Sequence, residues 1–104
     1  MLDLAENTLA AAGALALAHS AITGTLVELV LDKNALQDQG AAALGVASWP
    51  LLQRLSVQGN EITDQGARLL ARSKTLEHVP VIACQGNRIR YETYRELGTR
   101  LRQW

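Results

Sequence analysis

The chain has 104 residues, 48% of them hydrophobic, with ten basic and ten acidic side chains and therefore no net charge. This is the size and balance of one ordinary soluble globular domain. Phenylalanine is absent and aromatics make up only 4%, so Leu, Ala, Val and Ile have to fill the core; no apolar run reaches the ~18 to 20 residues of a membrane helix, and the lone Cys84 excludes an internal disulfide and is compatible with a reducing compartment.

In chain order, one phrase returns four times. It opens shortened as Leu2-Asp-Leu4-Ala-Glu-Asn7-Thr-Leu9. It recurs as Leu26-Val-Glu-Leu29-Val-Leu31-Asp-Lys-Asn34-Ala-Leu36, as Leu52-Gln-Arg-Leu55-Ser-Val57-Gln-Gly-Asn60-Glu-Ile62, and as Val79-Pro-Val-Ile82-Ala-Cys84-Gln-Gly-Asn87-Arg-Ile89. The spacing is LxxLxLxxNxL. The asparagines stand at 7, 34, 60 and 87, giving steps of 27, 26 and 27 residues. Six residues after the asparagine comes Gly-Ala in three copies, Gly13-Ala14, Gly40-Ala41 and Gly66-Ala67. Ten after it comes Leu17, Leu44, Leu70 or Leu97, each followed by a small residue, Ala18, Gly45, Ala71 or Gly98. The chain divides into units of about 1–25, 26–51, 52–78 and 79–104.

In the first unit, Leu2 to Leu4 reads as a strand and about Ala11 to Ala18 as a helix with Ala14, Leu17 and Ala18 inward. The apolar stretch Leu9 to Ala18 has no basic residues ahead of it and follows Asp3 and Glu6, so it reads as repeat helix and not as a secretory signal. Nothing in the sequence caps this end, which leaves core leucines and strand groups open. Either upstream repeats precede it or something covers it, and self-association there is an expected possibility.

In the second unit, period-two alternation puts Leu29 and Leu31 inside and Glu28, Val30 and Asp32 outside. Trp49 and Pro50 should close its helical side. In the third, Gly59 suits a tight bend and Asp64 is placed to cap a helix beginning near Gln65, with Leu70 and Ala71 under the strand. In the fourth, Thr93 and Tyr94 replace Gly-Ala, and Tyr91, Tyr94, Leu97, Leu101 and Trp104 recur at helical steps, predicting a helix on to Trp104 that caps the end.

This pattern resembles the long-repeat leucine-rich class typified by ribonuclease inhibitor and seen also in Ran GTPase-activating proteins and NOD-like receptors. The resemblance implies an α/β leucine-rich-repeat solenoid, a right-handed horseshoe segment with its parallel sheet on the concave face and helices on the convex face, about four repeats and a C-terminal helical cap. Each unit cannot bury its leucines alone, so neighbours stack and share a core. Asn7, Asn34, Asn60 and Asn87 are expected to form an internal ladder of hydrogen bonds to turn amides.

The resemblance further implies a non-enzymatic protein-protein interaction module, the C-terminal part of a longer array, binding a protein partner across the concave face. Strand alternation assigns to that face Asp3, Ala5 and Glu6, then Glu28, Val30, Asp32 and Lys33, then Arg54, Ser56 and Gln58, then Val81, Ala83 and Gln85. It lacks the aromatics that enrich partner-binding surfaces and offers only Arg54 of the favoured anchors. A GTPase-activator-like regulatory domain and a structural capping segment are the alternatives. The phrase Gly13 to Ala18, "GALALA", is similar to repeats in effectors that plant-pathogenic bacteria inject, which sets the expected location as cytoplasmic or the interior of a host cell.

Chemistry is sparse. Cys84 falls in the inward register of Leu4, Leu31 and Val57 and reads as a buried thiol, with His78 and His19 far apart along the array. One cysteine and two isolated histidines make no zinc site, and no nucleophile elbow, P-loop or dinucleotide motif occurs; no cofactor is expected. Residues 88 to 104 hold five arginines, Arg88, Arg90, Arg95, Arg100 and Arg102, against two acids. No aromatic is left over to stack on bases, so this is read as a solvated face and nucleic acid is not the expected partner.

Overall fold

The computed structural model describes residues 1–98 and residue 101. Among them strand and helix alternate: β1 (Leu2–Asp3), α1 (Ala10–Ala18), β2 (Glu28–Val30), α2 (Gln37–Val46), β3 (Arg54–Ser56), α3 (Asp64–Ala71), β4 (Val81–Ala83) and α4 (Tyr91–Leu97), with a 3-10 turn at Ala21–Gly24. The strands form a parallel sheet in chain order. Leu2 pairs with Leu29, Leu29 with Leu55 and Leu55 with Ile82, so equivalent positions of the repeated phrase lie side by side. The helices pack in the same order, α1 on α2, α2 on α3 and α3 on α4.

The strands are short because the phrase gives only a few alternating positions before it turns. Leu29, Leu31, Leu55, Val57, Ile82 and Cys84 point inward and are 0% exposed. They meet Leu36, Leu44, Ile62 and Leu70 from the turns and helices in one aliphatic core. Full burial of a leucine side chain is worth roughly 1.5–3 kcal/mol, and here that burial needs both the helix behind and the unit alongside.

The turn at each asparagine runs through left-handed backbone. Glu6, Lys33, Gly59 and Gly86, each just before the asparagine, have φ of 60°, 58°, 64° and 78°. Only the two glycines adopt this without crowding a Cβ against the carbonyl. The glycine six residues on has a different task, which is to make room. A Cβ at Gly13 would lie 2.6 Å from Leu9 Cβ, and one at Gly40 2.7 Å from Leu36 Cβ.

α1 (AAAGALALA) is apolar nearly all round, so its sequence alone selects no buried side, whereas α3 (DQGARLLA) carries its apolar residues on one face. Neighbouring packing decides the side for α1: Ala14 is buried, and Leu17 and Ala18 are packed partly against the core.

Three sequence expectations change. Pro50 does not end α2; the helix stops at Val46, Ala47 turns extended, and the buried Trp49 donates its indole N–H to the Leu44 carbonyl at 2.8 Å. That bond satisfies a helix-end acceptor that would otherwise lack a partner. Asp64 is the first residue of α3 and makes no cap for its own helix; its carboxylate reaches the next unit instead. α4 ends at Leu97, where Gly98 turns left-handed with φ 67°, a helix-stop signal. The expected run to Trp104, with Arg100 and Arg102, otherwise lies outside the described residues, while Leu101 is buried at 4% exposed.

Candidate interaction surface

The asparagines join the units along one edge of the sheet. Asn34 Oδ1 accepts the backbone N–H groups of Asn7 at 2.9 Å and Leu9 at 3.1 Å. Asn60 Oδ1 accepts those of Asn34 at 2.8 Å and Leu36 at 3.3 Å, and Asn87 Oδ1 those of Asn60 at 2.8 Å and Ile62 at 3.0 Å. Each carboxamide nitrogen donates to carbonyls just past the strands, Asn34 to Leu4 and Leu31, Asn60 to Leu31 and Gln58, Asn87 to Val57 and Cys84. Among the described residues the Asn7 carboxamide donates only to Leu4 and Ala5 of its own unit. Buried turn amides are costly without partners, and a carboxamide supplies both a donor and an acceptor in fixed geometry.

A second set of cross-unit bonds was not read from the sequence, although aspartate stands four residues after the asparagine in two units. Asp38 Oδ1 accepts the Thr63 amide at 2.8 Å and its Oδ2 the Thr63 hydroxyl. Asp64 Oδ1 accepts the Arg90 amide at 2.8 Å, and its Oδ2 is ion-paired to the Arg90 guanidinium. The Arg90 amide, ahead of the guanidinium, holds the Asp64 carboxyl below the ordinary carboxylate range. Each aspartate therefore fastens the residue that leads into the following helix.

The outward face of the sheet carries the residues proposed from strand alternation. One row runs Glu28, Arg54, Val81, and the next Asp3, Val30, Ser56, Ala83. Glu28 and Arg54 form an ion pair at 2.9 Å. Asp32 Oδ1 accepts the Ser56 hydroxyl at 2.7 Å and the Gln58 amide at 2.8 Å, so this carboxylate holds two strands together. Lys33 reaches Glu6 at 3.7 Å in an exposed pair. Glu28, Val30, Asp32, Arg54, Gln58 and Val81 are half-buried; Lys33 and Gln85 are exposed.

Ser56 and Ala83 do not fit the assignment of an accessible surface. They are 1% and 2% exposed. Both are short side chains of one row, and the Ser56 hydroxyl is taken up by Asp32. They form the floor of the face, and a partner would meet Val30, Arg54 and Val81 around them.

On the helical side, Glu96 accepts from Arg68 Nε at 2.9 Å, Arg68 Nη2 at 3.1 Å and Arg72 at 2.8 Å, tying α3 to α4. Arg68 first, with Arg72 adding, holds the Glu96 carboxyl below its ordinary range. Gly45 lies against α3, and its carbonyl accepts the Ser73 and Thr75 hydroxyls.

Cys84 is buried, with the Tyr94 hydroxyl 3.6 Å from its Sγ and donating to its carbonyl at 3.2 Å. Burial first, then the thiol, pushes the Tyr94 phenol up. His78 Nε2 sits 2.8 Å from the Trp49 carbonyl, so it is a loop fastener rather than a partner of Cys84. Arg88 and Arg90 face Glu61 and Asp64, and Arg95 lies 6.0 Å over the Tyr91 ring. No group of His, Cys, Asp and Glu among the described residues could hold a metal ion. No helix among them is long and apolar enough to cross a membrane.

Two stretches, residues 25–45 and 50–71, match the leucine-rich repeat family model. They cover β2 with most of α2, and β3 with α3. Together with the parallel sheet and its row of helices, these matches support a leucine-rich repeat protein, a class whose members commonly bind other proteins. No curated protein matches the chain.

Proposed function

We propose that this chain is a non-enzymatic protein-protein interaction module: a leucine-rich-repeat horseshoe of four units, of the ribonuclease-inhibitor-like class, that meets its partner with the concave face of the sheet. The observation that carries this reading is the outward row of side chains presented at matched register by four parallel strands. The ladder at the strand ends fixes the register of this surface, which lowers the conformational entropy lost on binding. Its centre is Val30, Val81 and the Glu28–Arg54 pair, bordered by Lys33 and Gln85. An occupant with an apolar centre and mixed polar rim matches this chemistry.

The proposed setting is the interior of a cell, the producing cell or a host cell entered as an injected effector. The test is affinity enrichment from such an extract with three proteins: the unaltered chain, a sheet-face variant (Arg54→Glu with Val81→Glu) and a helix-face variant (Val46→Glu). Partners should stay with the unaltered chain and with Val46→Glu and drop at least about tenfold with the sheet-face variant. Loss with Val46→Glu alone would move the site to the helices and end this reading.

A further inference from the structure

The solvent side of the helical layer is short of charge. From Asn7 to Val27 the chain has no Asp, Glu, Lys or Arg, and the one charged side chain of α2, Asp38, is taken up by Thr63. Leu15 on α1, Val46 on α2 and Leu69 on α3 stand exposed, Val46 at 80%. An apolar strip across adjoining helices marks an interaction surface, where single scattered apolar residues do not.

Two grooves run along this strip. One lies between α1 and α2, beside Leu15 and Ala43. The other, about 360 Å³, lies between α2 and α3 over Ala42 and Gly45, with Val46 on one bank and Leu69 on the other. Helices pack by setting a ridge of one surface into a groove of the other. Here the two parts are neighbours: Val46 projects from the end of α2, and the small floor of Ala42 and Gly45 lies beside it. A surface that carries ridge and groove side by side can be complementary to itself under a two-fold rotation.

We infer that this strip is the interface of a homodimer, in which each copy lays its α2 into the α2–α3 groove of the other, with the helices of the two copies running in the same direction. Charge selects this arrangement. Arg68 and Arg72 share the Glu96 carboxylate, so two guanidinium groups meet one acid and a positive charge is left over on α3. A two-fold axis laid across the helices would set α3 on α3, cation against cation. An axis laid along them sets α3 against α1 of the second copy. That helix has no charged side chain and no Lys or Arg at its end, so its C-terminal carbonyls, the negative end of its dipole, have no cation of their own. Arg72 stands at the corresponding end of α3 and reaches them across the axis, its aliphatic stem lying over the apolar helix.

The strip spans helices of only nine, ten and eight residues, short of the ~800 Å² per partner of a standard interface. The dimer is therefore a weak one that forms at high micromolar concentration. The inference goes beyond the concave-face reading and does not depend on it.

The test is sedimentation velocity of the whole chain from about 10 μM to about 1 mM. The unaltered chain should pass from monomer to dimer over that range. Val46→Glu should raise the dissociation constant at least about tenfold and Val46→Ser by a smaller factor; both sit on an exposed side chain, and far-UV circular dichroism checks that the fold is kept. Arg72→Glu should weaken the dimer most at low salt. The sheet-face variant, Arg54→Glu with Val81→Glu, should dimerise like the unaltered chain, so this result and the concave-face result can fail separately. Oxidised with diamide, a Val46→Cys chain should form a disulfide-linked dimer at least about tenfold faster than a Val27→Cys chain, whose cysteine is exposed ahead of β2.

A chain that stays monomeric at about 1 mM would overturn the inference. A dimer that survives Val46→Glu would overturn it as well, because the second copy would then sit elsewhere. Retention of a monomeric chain on phosphatidylserine vesicles, lost with Val46→Glu, would give the strip to a lipid surface and end the homodimer reading.

Discussion

Asn60 is 0% exposed and takes four hydrogen bonds, two through Oδ1 and two through Nδ2. An alanine there leaves the Asn34 and Leu36 amides buried with no acceptor, at ~1–3 kcal/mol for each group left without a partner. Asn60→Ala should therefore lose about 3 kcal/mol or more of stability, read as the urea midpoint, with secondary structure unchanged in what remains folded. Lys33 shows the opposite kind of residue effect. It holds φ 58° in the place taken by Gly59 and Gly86 in the later units, and its ion pair with Glu6 is long and exposed. Relieving the Cβ should outweigh losing that pair, so Lys33→Gly should raise the midpoint by the equivalent of about 0.5–1 kcal/mol. A lower midpoint would mean that the turn is not strained.

At the scale of an element, the joint between α3 and α4 depends on two carboxylates. Asp64 is held mainly by the Arg90 amide and Glu96 by the Arg68 guanidinium, and both titrate below the ordinary carboxylate range. A carboxyl depressed in the folded state adds stability above its unfolded pKa and loses it as pH falls through the folded value. The urea midpoint should thus fall once the pH drops below about 4. Asp64→Asn should start lower at neutral pH and fall less steeply. High salt should weaken the Glu96 share, which rests on arginine charge, more than the Asp64 share, which rests on a backbone N–H. An Asp64→Asn profile parallel to that of the unaltered chain would contradict the assignment.

At the scale of the molecule, protection should vary along the array. The Val57 amide donates to Ala83 and Leu31 to Ser56 deep in the sheet, while Leu4 donates to Val30 beside half-exposed leucines and the exposed Asn7. Opening free energies should therefore rise from β1 to β3 in native-state hydrogen exchange, with Leu4 and Glu6 exchanging fastest. Uniform rates across the four strands would mean that the array opens only as a whole.

The sequence by itself determined the step of the array. The asparagine spacing and the alternating leucines put Leu29, Leu55 and Ile82 on neighbouring strands facing one core, because period two turns alternate residues to the same side of each strand. Cys84 was legible as a buried thiol for the same reason, since register fixes burial independently of reactivity. Much of the candidate face was legible too, because alternation says which side chains point outward. What alternation could not say is which of them water or a partner can reach. Only the tertiary structure decided that Ser56 and Ala83 are buried on the outward side and that Asp32 and Asp64 bond to the next unit. The two aspartate bonds join groups about one repeat apart in sequence that meet only when units stack, and no local pattern of propensity or capping contains that distance.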